Sequence, residues 1–192
     1  MTQVQHGTVG GLPVLTGDLI FTTNGSAAPG PGQFWWLVGL LIPGEVDHVA
    51  VYVGPGGRCV EAGALGKVVA FEAPAEGWDA EAMLPRRGFV DRLHGVGSPL
   101  AGRNLAPDRE TDIRLAVAHF CLEHARRATP YNLNFFDSAT RDAFYCSQLA
   151  YAAYLPHGID LNIGFRLDVL PLTQRIVFPQ EVWEACQDRR TA

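Results

Sequence analysis

One stretch, DHVAVYVGPGGRCVEAG at positions 47–63, constrains the chain more than any other. Residues 48–53 are rich in β-branched side chains, Gly54-Pro55-Gly56-Gly57 is a turn, and residues 58–62 return as a second strand. This composition predicts a β-hairpin. Strand side chains alternate between faces, so His48, Ala50 and Tyr52 share one side. With Gly54 to Gly57 as a four-residue loop, Val53 faces Arg58, His48 faces Gly63 and Ala50 faces Glu61. Glu61 then lies on the face of His48, one diagonal step away, about 7–8 Å at the backbone and within side-chain reach. An odd loop would reverse that parity. A carboxylate so placed can hold one side of the imidazole and leave the other nitrogen to act as a base.

A base of this kind needs a nucleophile from elsewhere, and Cys146 is the best-placed thiol. Phe144-Tyr145-Cys146-Ser147-Gln148-Leu149 reads as the entry to a helix over 146–155, with Asp142 as its expected cap and Pro156 beyond its end. A thiol in the first turn meets unpaired N–H groups and the positive end of the helix dipole, which favour the thiolate. The same N–H groups can hold the oxyanion of a tetrahedral intermediate. The bland alternatives are core packing for Cys146, a partly buried strand-edge histidine for His48, and a solvated strand residue for Glu61.

The rest of the chain reads as strands first and helices after, an α+β order. The N-terminus reads as loose, 18–21 as a short strand, and 22–32 as a Gly/Pro/Ser/Asn loop. Further short strands are expected at 68–72 and 88–90, with a loop over 95–107. Residues 108–127 carry Ile113, Ala116, Val117, Phe120 and Cys121 at helical spacing, with Asp108 at the start and Arg126-Arg127 near the end. That is an amphipathic helix charged as its dipole prefers. An aromatic loop over 131–140 and a short helix over 180–187 complete the order. With 192 residues, 47% of them apolar, and no repeat or linker, residues 1–192 are expected to form one domain.

Composition also excludes. The net charge is −5 with scattered Lys and Arg, so nucleic acid is not an expected partner. The longest apolar run, 34–42, has nine residues, against roughly 20 for a helix that spans a bilayer. No stable membrane insertion is expected, and the N-terminus lacks the basic and apolar regions of a signal peptide, so the expectation is cytoplasmic. The four cysteines, Cys59, Cys121, Cys146 and Cys186, include no CxxC pair and are read as individual thiols. Cys121 belongs to the core, Cys59 to packing near the site, and Cys186 to an exposed or half-exposed tail. A zinc site from Cys59, Cys146 and His48 matches no standard ligand spacing, so neither metal nor cofactor is expected. His6, His94, His119, His124 and His157 have no evident partner. Asp18 either orders backbone or contacts substrate, and Tyr52 and Tyr145 are candidate pocket walls. Residues 34–42, with Trp35 and Trp36, form either core or an apolar wall beside His48.

Three stretches in this order resemble a known group. They are Gly17-Asp18-Leu19-Ile20-Phe21, then Asp47-His48-Val49-Ala50-Val51-Tyr52-Val53-Gly54 with Val60-Glu61-Ala62, then Tyr145-Cys146-Ser147-Gln148-Leu149. Together they resemble the circularly permuted NlpC-like papain-fold amidases and peptidases, within them the YiiX/YaeF-like group. Ile176-Val177-Phe178-Pro179-Gln180 is similar to the segment that closes such domains. The resemblance implies a permuted papain-like α+β fold, an antiparallel sheet packed against helices. It also implies Cys146 as nucleophile, His48 as base and Glu61 as the residue orienting His48. The implied reaction is hydrolysis of a small amide or peptide through a thioester, the substrate carrying an apolar or acyl group if 34–42 lines the site. The alternatives are a lipid-directed acyltransferase or thioesterase with the same triad, and a non-catalytic binding domain.

Overall fold

Near-continuous apolar strands such as HVAVYV signal burial on both faces of a sheet, and the computed structural model accounts for them in that way. It describes residues 3–23, 44–164 and 173–192. The central sheet has six strands, all antiparallel to their neighbours. Its members are β3 (Leu19–Thr23), β4 (His48–Gly54), β5 (Arg58–Gly63), β6 (Lys67–Glu72), β7 (Arg92–Ser98) and β8 (Asp188–Thr191), in the order β6-β5-β4-β3-β7-β8. A separate hairpin, β1 (His6–Val9) and β2 (Leu12–Leu15), precedes it. The α-helices among the described residues are α1 (Ala80–Arg87), α2 (Pro107–Arg126), α3 (Cys146–Tyr154) and α4 (Pro179–Ala185).

Alternation sorts the side chains into two cores. Leu19, Phe21, Val49, Val51, Val60 and Ala62 pack with Ile113, Val117 and Cys121 of α2, Leu149 of α3 and Val182 of α4. Ile20, Ala50, Tyr52 and Cys59 point the other way, onto Val9 and Val14 of the N-terminal hairpin and Met83 of α1. The architecture is therefore mixed α+β, an antiparallel sheet packed against helices on one face and a hairpin with one helix on the other.

The β4–β5 register keeps the anticipated parity by a different route. Val51 faces Val60 and Tyr52 faces Cys59, as a four-residue loop would give, yet Gly54 faces Arg58. The turn thus has three residues, Pro55-Gly56-Gly57, and a register shift between Tyr52 and Gly54 cancels the odd count. Gly57 has φ 74°, and a Cβ there would collide with the Ala73 carbonyl.

Several expectations give way. The N-terminus is not loose: Gly10-Gly11 turns β1 into β2. Residues 88–90 are not a strand, because Gly88 caps α1 by donating to the Leu84 carbonyl, and α1 accommodates Pro85. Residues 95–98 are strand rather than loop: a Cβ at Gly95 would collide with the Arg190 carbonyl, so the glycine permits the close approach of β8. The long helix starts at Pro107 with Ala106 at the cap position and no side-chain cap, and it buries Arg114 as well as its apolar stripe. Tyr145, not Asp142, caps α3. Residues after α4 form β8, and this return buries Cys186, which is 1% exposed. His124 does have a partner, the Thr129 hydroxyl at 2.9 Å.

Candidate active site

His48 is the first residue of β4 and Cys146 the first of α3, so each sits where its element ends and its side chain can reach past the packed layers. Glu61 lies on β5, on the strand face that the register predicts. Its Oε2 is 2.9 Å from Nε2 of His48, leaving Nδ1 as the ring nitrogen open to another partner. Burial would push His48 down, but the nearby Cys146 thiol and then Glu61 outweigh it and raise the imidazole to about 10. The His48 side chain is 12% exposed and Cys146 7%, so both lie mostly covered with a small part facing solvent.

The residues around Cys146 fix its position. The Tyr145 hydroxyl accepts from the Val177 N–H at 3.0 Å and lies 3.4 Å from the Phe135 carbonyl. Ser147 donates to the Val177 carbonyl at 2.7 Å. Gln148 accepts from the Tyr145 N–H and from Asn132, and donates to the carbonyls of Asp137 and Thr140. The polar residues flanking the thiol thus tie α3 to the 131–140 loop and to the segment before α4.

Sequence reasoning missed what stands behind Glu61. Arg87, the last residue of α1 and 0% exposed, donates from Nε to both Glu61 oxygens at 3.0 and 3.1 Å and from Nη2 to Oε2 at 2.9 Å. Its far edge donates to Asp91 at 2.8 and 2.9 Å, and the Trp78 indole N–H also donates to Asp91. Burial would push Glu61 up, but Arg87 and then His48 outweigh it and hold the carboxyl at about 2. Phe89 packs edge-on to His48, with centroids 4.9 Å apart, and the Arg87 guanidinium lies 4.4 Å from the same ring. The Arg86-Arg87 pair in the sequence carries no mark of this, and neighbouring Pro85 reads as loop.

Other site expectations separate from this cluster. Asp18 is 1% exposed and both its oxygens are taken, by Arg114, the Leu15 N–H and Arg190, so it orders backbone and core rather than facing substrate. Tyr52 is fully buried under the N-terminal hairpin, near Gly7 and Val14, and is core rather than pocket wall. Tyr145 adjoins Cys146 but uses its hydroxyl as a brace. Trp35, Trp36 and the rest of 34–42 lie outside the described residues. Burial pushes the Cys59, Cys121 and Cys186 thiols up, away from nucleophilic character. Tyr131, not singled out in the sequence, lies close enough to Cys146 to feel its charge.

Among solved structures, the chain is similar to the metalloprotein yiiX from Escherichia coli O157:H7. The two share 18% identity over 92% of this chain and 95% of that one, with a TM-score of 0.51. The fold is YiiX-like. At this identity the likeness is one of fold, and it agrees with the group suggested by motif order. No family model matches the chain, and no curated protein matches it. Among the described residues no group of three or more His, Cys, Asp or Glu could hold a metal ion. The carboxylates nearest His48 face the Arg87 guanidinium, so these residues do not fit a resident metal. No helix among the described residues is long and apolar enough to cross a membrane.

Proposed function

We propose that the chain is a cysteine hydrolase, cleaving an amide bond of a small peptide or amino-acid amide through a thioester acyl-enzyme. The observation that carries this reading is the arrangement of His48 with Glu61 hydrogen-bonded to one ring nitrogen and the Cys146 thiol close by. In this reading the Cys146 thiolate attacks the carbonyl carbon, and the N–H groups of the first turn of α3 hold the developing oxyanion. His48 protonates the leaving amine as the C–N bond breaks. It then removes a proton from the water that attacks the thioester, and the carboxylic acid leaves as Cys146 regains its resting state. Glu61 keeps the imidazole oriented and stabilises its positive form.

The test is a panel of amide, ester and thioester substrates given to the purified protein, with mass mapping of quenched reactions. An acyl adduct on the peptide that contains Cys146, formed faster than product, supports the reading. Turnover with no adduct and no loss after Cys146 is alkylated would overturn it.

A further inference from the structure

We propose that Arg87 is a positioning residue for the reaction, holding Glu61 as a fixed carboxylate behind His48 while Asp91 neutralises the guanidinium's far edge. This rests on the hydrolase reading and adds a residue to it. Four side chains alternate in charge along one row of contacts: His48, Glu61, Arg87, Asp91. Three of the hydrogen bonds to Glu61 come from Arg87 and one contact comes from His48, so the guanidinium sets the carboxylate plane and thereby the imidazole that rests on it. Arg87 is itself fixed, by two bonds to Asp91 and by the Phe71, Trp78 and Phe89 rings 4.4–5.3 Å from its centre. Phe89 touches both His48 and Arg87, so one apolar wall encloses base, carboxylate and guanidinium and strengthens every charge interaction between them.

The charge of Arg87 matters as much as its geometry. A carboxyl in such a wall without a cation takes up a proton, and a neutral acid no longer stabilises an imidazolium. The other titratable groups facing this row stay neutral: the Cys59 thiol beside Glu61 and the Tyr131 and Tyr145 phenols beside Cys146 are all pushed up by burial. Arg87 is therefore the cation that keeps Glu61 ionised from behind. A merely structural ion pair would tie α1 to β5 and lower stability when broken, with no effect on the pH profile of kcat.

The test follows the Glu61 carboxyl directly, by carbon-13 NMR of Glu-labelled protein against pH, together with the pH profile of kcat. In the native protein Glu61 stays ionised through the acid range. In Arg87→Met its titration should move up by two pH units or more, about a hundredfold in proton affinity, and kcat should gain an acid limb at the same midpoint. Arg87→Lys should keep Glu61 ionised but lose the fork, lowering kcat about tenfold with KM unchanged. Were Arg87→Met not to fold, a cycle decides: in a Glu61→Gln background, Arg87→Lys should cost no further kcat, because the residue acts through Glu61. An unmoved Glu61 titration and unmoved kcat profile in Arg87→Met, or full additivity in the cycle, would overturn the inference. The carboxyl titration needs no turnover, so it stands or falls separately from the hydrolase reading, which fails if Cys146→Ala retains activity.

Discussion

Among the described residues two arginines are buried against carboxylates, and only one of them bears on the candidate site. Arg114 of α2 is held by Asp18, Glu110, the Thr16 carbonyl and the Ser98 hydroxyl, with Arg190 of β8 on the other Asp18 oxygen. Its carboxylates face only cations and backbone, and its work is to fasten the N-terminal hairpin, the long helix and the last strand together. Arg87 holds Glu61 and Asp91 in much the same manner, but Glu61 keeps a third contact, to a histidine that solvent can reach. A buried ion cluster closed on itself is architecture. One left open at a titratable group next to a thiol is the arrangement that the proposed hydrolysis uses.

The largest expected effect lies on the open side. Cys146→Ala should reduce turnover to background, a loss on the order of 10⁶-fold, while circular dichroism and melting temperature stay unchanged. Glu61→Gln comes next, with kcat lowered roughly 10²–10⁴-fold in steady-state assays because the imidazolium loses its anion. A smaller fall than for Asp18→Asn would break the contrast between the clusters. Asp18→Asn should itself cost about 3–5 kcal/mol in urea unfolding, because Arg114 loses its buried counter-charge, with kcat of the folded fraction unchanged.

Titration sharpens the same contrast. Glu61 sits at about 2, below its ordinary 4.5, so its stabilisation is complete above pH 4.5 and is lost as pH falls toward 2. His48 sits at about 10, above its ordinary 6.5, so its share is complete below pH 6.5 and is lost as pH rises through 10. Melting temperatures across that range should show both slopes, and Glu61→Gln should flatten the acid one. The gentlest test is chemical: at neutral pH iodoacetamide should label Cys146 ahead of Cys59, Cys121 and Cys186, because the other three are buried neutral thiols. Peptide mapping with Cys59 or Cys121 labelled first would count against Cys146.

What was legible in the sequence is what local pattern encodes. Alternation placed His48 and Glu61 on one face, and helical spacing with Pro156 bounded α3. The long helix was legible for the same reason, apart from Arg114, whose partner Asp18 lies 96 positions away. Arg87 escaped because its partner Glu61 comes from across the sheet and because Pro85 disguised the helix that carries it. Strand β7 was hidden by Gly95 and Gly97, which read as loop residues until the approach of β8 and α4 is known. The N-terminal hairpin is recoverable from local pattern, since Gly10-Gly11 between two apolar runs is a turn signal.

The three-residue turn and its compensating register shift have a consequence for how this chain can change over time. Each is an odd step, and together they keep Glu61 on the face of His48. A single residue removed or added between Tyr52 and Arg58 without a second compensating shift would rotate Glu61 into the layer of Val60 and Ala62, a carboxylate among hydrocarbon, and bring those two under the histidine. Length changes in this loop therefore leave the site intact only in pairs or with a second register shift, so the turn and the site it borders are coupled.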